Sequence, residues 1–83
     1  EIVRDVCGHF GLLESELRDS KVHRTSRARK IAWALMRRRA DCSYEQIARM
    51  FGRTHTSVRH GVASVNILSA EYLALTNRAE AAE

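Results

Sequence analysis

Residues 43–60 read SYEQIARMFGRTHTSVRH, and the fold turns on how this stretch is parsed. Ser43 and Gln46 have the S-x-x-Q spacing of a capping box, in which each side chain answers an amide that the first helical turn leaves unpaired. Tyr44, Ile47, Ala48 and Phe51 follow at i, i+3, i+4 and i+7, one face of a helix of about nine residues. Gly52 is placed to stop that helix in the left-handed region, and Thr54 is a good N-cap for another. Val58, Val62, Val65, Leu68 and Tyr72 line one side of this second helix, predicted over residues 55–70. At about 100° per residue, Val58, Val62, Val65 and Tyr72 fall within an arc of roughly 80°. His55, Thr56, Arg59, His60 and Ala63 fall outside that arc. Two helices joined by a Gly-containing turn, the second with a polar outer face, make a helix-turn-helix.

The flanking sequence is helical as well. Ser26 is predicted to open a longer helix reaching Arg39, with Ala28, Ile31, Ala32 and Leu35 as its inner stripe. Residues 40–42, ADC, read as a turn, and residues 19–25, DSKVHRT, as a polar loop. Further upstream, Ile2, Val3, Val6 and Phe10 share one helix face that Gly11 ends. Leu12, Leu13 and Leu17 suggest a short helix over residues 14–18. No stretch alternates as a strand would, so the expected class is all-α. Residues 1–70 are expected to form one domain, with residues 71–83 a helix end and a fraying tail.

The bulk properties narrow the function. With 83 residues and two cysteines, the chain is one small domain and not a disulfide-dense secreted scaffold. No apolar run approaches the ~20 residues of a membrane span. The chain opens on Glu1 rather than Met, as a piece of a longer protein would. Net charge is +4, but residues 18–59 hold twelve Lys and Arg against three acids, a local +9 set against −5 in the rest. A cationic block between acidic ends is the electrostatic footprint of a polyanion binder; the bland alternative is a solvated surface.

The outer face of the 55–70 helix adds chemistry to that charge. Arg can bond a guanine edge bidentately, Thr can touch a thymine methyl, and His can donate or accept. His55, Thr56 and Arg59 on the first turns are therefore expected to reach base edges if this helix enters the major groove. The remaining polar groups each have more than one reading. His55 and His60 have half of a zinc-finger spacing but no C-x-x-C before them. Trp33 is expected to pack rather than to stack on bases. Arg37, Arg38 and Arg39 either decorate a helix C-terminus or contact phosphate. Ser57 either caps, contacts phosphate or reads a base. No phosphate-binding G-x-x-x-x-G-K-[ST] loop, carboxylate pair or Cys–His spacing supports catalysis, so neither enzymatic activity nor a cofactor is expected in this chain.

The stretch SRARKIAWALMRRRADCSYEQIARMFGRTHTSVRHGV, residues 26–62, resembles the C-terminal DNA-binding domain of the bacterial replication initiator family DnaA. Arg27, Arg29 and Ala32 match the family's R-x-R-x-x-A helix. Ser43, Ile47, Ala48, Phe51 and Gly52 match S-x-x-x-I-[GA]-x-x-F-G, and His55, Thr56, Ser57, Val58 and His60 match D-H-T-T-V-x-H-A. The resemblance extends over about residues 2–68. It departs at Thr54 for Asp, Arg59 for an apolar residue and Gly61 for Ala, and in a turn shorter by one glycine. The resemblance implies a Trp-repressor-like helical fold and sequence-specific binding of double-stranded DNA in the bacterial nucleoid, with the signature helix in the major groove. Carried over by position, His55, Thr56 and Ser57 would contact bases and phosphates, Arg53 would lie near the backbone, and Lys30, beside Arg29, would face the groove. A basic residue in the adjacent minor groove would be Lys21 by a gapless count, or Arg24 if the loop is shorter; with Arg29, Arg59 and His60 these make ten residues expected at the DNA. An upstream AAA+ module would make the parent protein an initiator. The same fold would equally serve a free-standing or phage-type transcriptional regulator, and a third reading is an interaction module for acidic protein or RNA.

Overall fold

The capping box forms as its spacing predicts. The Ser43 amide donates to Gln46 Oε1 at 2.8 Å, and the Gln46 amide donates back to Ser43 Oγ at 3.1 Å. In the computed structural model, which describes residues 2–19, 23–65, 69 and 72–75, five helices follow in order. They are α1 (Ile2–Phe10), α2 (Glu14–Asp19), α3 (His23–Arg39), α4 (Tyr44–Phe51) and α5 (His55–Ser64). Residues 72–75 are helical too, and there is no strand among the described residues. The all-α expectation is met.

The glycine stops act as expected. Gly11 and Gly52 take φ of 67° and 63°, the left-handed conformation that costs glycine least. At Gly52 the turn is closed by Arg53 N–H donating to the Ala48 carbonyl at 2.9 Å. Asp41, at φ 54°, makes the corresponding bend after α3.

α3 is the axis of the domain. Residues 31–36 are buried without a break, so this helix must be covered on every side. It touches each of the other four helices. Ile31 and Leu35 of α3, Ile47 and Phe51 of α4, and Val58 and Val62 of α5 share one core with Val3, Val6 and Leu17. Trp33 packs in that core, its ring meeting Phe51 edge-on at 5.8 Å.

Two boundaries differ from the sequence reading. α3 begins at His23, three residues before Ser26. Its buried stripe continues back through Arg29 and Thr25, at i−3 and i−7 from Ala32. Because both residues are polar, hydropathy hid them. The second difference concerns α5, which ends at Ser64 rather than near residue 70. Ser64 Oγ donates to the Gly61 carbonyl at 2.7 Å, the acceptor that the Val65 amide would need to continue the helix. Val65 N–H bonds the Val62 carbonyl instead, and its backbone is extended at ψ 127°. Tyr72, expected on the same helix, is buried in the separate helical segment at 72–75, where Ser69 Oγ accepts from the Tyr72 amide. Leu68 and the expected tail at 76–83 lie outside the described residues.

Phe51 ties α4 to α3 and is 5% exposed. Phe51→Ala is expected to cost about 3–5 kcal/mol, a large part of a small domain's stability, in thermal or urea unfolding. A variant that melts with the parent would place Phe51 outside the core.

Candidate nucleic-acid interface

α5 presents its polar face because its apolar face is taken. Val58 is fully buried and Val62 nearly so, while His55, Thr56, Arg59, His60 and Ala63 are all exposed. The helix is started by Thr54, whose Oγ1 accepts from the Ser57 amide at 3.1 Å and donates to Ser57 Oγ at 3.0 Å. Thr54 therefore does the capping work of the Asp in the family pattern. Ser57 is exposed and joined to the cap through both its amide and its hydroxyl.

A groove runs between α3 and α5. Lys30, Thr56, Ser57, His60, Gly61 and Ser64 line it, which brings four of the ten expected contact residues to one place. A neighbouring hollow shares Lys30 and Ser64 and adds Ser26, Arg27, Ile31, Val65 and Ser69. The groove has its present width because α5 lies close to α3 at Gly61. A Cβ built there would stand 2.7 Å from Trp33 Cε3 and Cζ3 and 3.3 Å from Lys30 Cγ. The indole thus occupies the space that the Ala side chain of the family pattern would need at position 61. A glycine inside a helical pattern was the available signal for this close approach, but nothing local pointed to Trp33 as its cause.

Other expected contacts are engaged elsewhere. Arg29 is only 5% exposed, and its Nε donates to the Leu17 carbonyl at 2.7 Å. Burial removes Arg29 from the surface on which DNA contacts were expected. Arg53 stays exposed, and its Nη2 donates to the Arg18 carbonyl at 3.0 Å. Both bonds meet carbonyls at the C-terminal end of the six-residue α2, where cations offset the helix dipole. Arg59 is exposed on the α4 side of α5, its guanidinium carbon 5.4 Å from the centre of the Tyr44 ring. Arg24 is not in a loop; its backbone belongs to the first turn of α3. Lys21 lies outside the described residues. Neither the contact of Arg59 with the Tyr44 ring nor the carbonyl-bonding roles of Arg29 and Arg53 were legible in the sequence, since each joins residues far apart along the chain.

A short helix capped at Ser43, a tight glycine turn and a second helix with a polar outer face define a helix-turn-helix domain. The profile of the bacterial DnaA protein helix-turn-helix family matches residues 1–65, and the chain belongs to that family. Three relatives are chromosomal replication initiator proteins DnaA. The one from Aquifex aeolicus is 42% identical over 67 residues, covering 78% of this chain and 17% of the relative. That from Sphingopyxis alaskensis is 37% identical over 70 residues, covering 82% and 16%. That from Oleidesulfovibrio alaskensis is 34% identical over 65 residues, covering 77% and 14%. The chain thus spans about a sixth of the length of these relatives. No solved structure matches it.

The Gly61–Trp33 approach makes a double-substitution prediction. Ala is favoured over Gly in a helix by about 1 kcal/mol, but forcing a methyl onto a buried ring costs about 1–3 kcal/mol. Gly61→Ala should therefore destabilise the parent, and should be neutral or stabilising in a Trp33→Leu background, as read by chemical unfolding. The same cost in both backgrounds would mean that the indole does not exclude the methyl.

Proposed function

We propose that this chain is a duplex-DNA-binding domain that recognises an origin-type, DnaA-box-like sequence in replication initiation. α5 enters the major groove, and a basic residue at the start of α3 or just before it, Arg24 or Lys21, reaches the adjacent minor groove. The observation that carries this reading is the groove in which Lys30 stands beside Thr56, Ser57 and His60. A lysine there faces phosphate, while the first turns of α5 offer hydroxyl and imidazole groups to base edges. The names of the three relatives support replication initiation rather than a free-standing regulator. In that reading the intact protein carries an AAA+ module, acts on the nucleoid, and leaves to this domain a non-catalytic, cofactor-free role. No described helix is long and apolar enough to cross a membrane.

The test begins with duplexes selected from a random pool. His55→Ala and Thr56→Ala should each lose about 1–3 kcal/mol on the selected duplex and much less on random DNA. If about four to six basic side chains neutralise phosphates, log K against log salt should have a slope near −4 to −5. Equal losses on both duplexes would reject base reading by α5. A slope near zero would reduce the +9 block to a solvated surface.

A further inference from the structure

We propose that Arg37, Tyr44 and Arg59 form a clamp for a phosphodiester of the DNA backbone, so that Arg59 contributes affinity and register rather than base readout. The proposal rests on the duplex-binding reading above.

The three residues come from three helices. Arg37 lies in the last turn of α3, Tyr44 is the first residue of α4, and Arg59 lies in the second turn of α5. The guanidinium carbons of Arg37 and Arg59 stand 5.1 Å and 5.4 Å from the centre of the same Tyr44 ring. Both distances are within cation–π range. Both arginines are exposed, and neither forms an ion pair among the described residues. Two like charges gathered at one aromatic ring repel each other. An anion bound by both would turn that repulsion into attraction. The N-terminal end of α4, at Tyr44, adds the positive end of a helix dipole to the same place.

The chemistry of the clamp selects phosphate. Guanidinium groups present paired N–H donors that match two phosphate oxygens. A phosphodiester also has the reach to meet side chains from α3 and α5 at once, because it lies on the rim of the groove that α5 would occupy. Base reading by Arg59 is the weaker alternative. On α5 it stands one residue, and about 100°, away from His60, turned toward α4 and held over Tyr44. Thr56 and His60 instead share the groove with Lys30. Tyr44 is half-buried against the core, so it acts as a positioning residue that holds both cations.

The test uses the selected duplex with single methylphosphonate linkages, each removing one backbone charge. It compares the parent with Arg37→Ala, Arg59→Ala, Tyr44→Phe and Tyr44→Leu, after unfolding curves verify that each variant is folded. One linkage, or two adjacent ones, should weaken the parent roughly tenfold and leave Arg59→Ala almost unaffected. Arg59→Ala should lose equally on selected and random duplexes, with the salt slope reduced by about 1. Tyr44→Phe should keep the parent's linkage profile, whereas Tyr44→Leu should blunt it, since only the former keeps the ring. If Arg59→Ala loses on the selected duplex alone and keeps the parent's methylphosphonate profile, Arg59 reads a base and the clamp is wrong. If the parent itself binds no duplex in a salt-dependent way, the duplex-binding reading fails, and the clamp fails with it.

Discussion

The closeness of α5 to α3 at Gly61 is the constraint on which the proposed interface depends. Trp33 fills the space in which any other residue at position 61 would place a side chain. The indole is itself held in the core against Phe51, which belongs to α4. One ring therefore sets the spacing of the three helices that make the helix-turn-helix and its support. Moving α5 outward by the width of a methyl group would widen the groove that Lys30 and His60 share. The polar face of α5 is thus positioned from behind, by packing that never meets solvent.

The cationic block serves more than one purpose. Arg29 is buried and bonded to α2, so part of the sequence's positive charge goes to holding a six-residue helix in place. Such a helix is too short to be stable alone, and its last carbonyls need partners. Arg53 serves the same end of α2 from the turn of the motif while staying exposed. This bond links the turn of the motif to α2. The residues left on the surface around α5, Lys30 on one flank and Arg37 with Arg59 on the other, carry the proposed interaction with DNA.

Local signals in the sequence were the most reliable. The capping box at Ser43, the left-handed stop at Gly52 and the cap at Thr54 each depend on residues within a few positions of one another, and each is formed. The exposed face of α5 was equally legible, because Val58 and Val62 determine it by periodicity. What could not be read depends on polar atoms replacing apolar ones, or on contacts between distant helices. Thr25 faces inward and so hid the start of α3. A serine hydroxyl competing for the Gly61 carbonyl ended α5 where the valine periodicity continued. The use of Arg29 depends on where the Leu17 carbonyl lies, which no spacing within the motif reveals.

The central claim is that α5, backed by α3 at Gly61, is the surface that meets duplex DNA. Mapping backbone amide shifts while the selected duplex is added to the isotopically labelled domain tests it most directly. The account predicts that the largest changes fall on Thr54 to Ser64 and at Lys30, with the buried faces of α1 and α3 little affected. Changes concentrated on α1 and α2, with α5 silent, would contradict it.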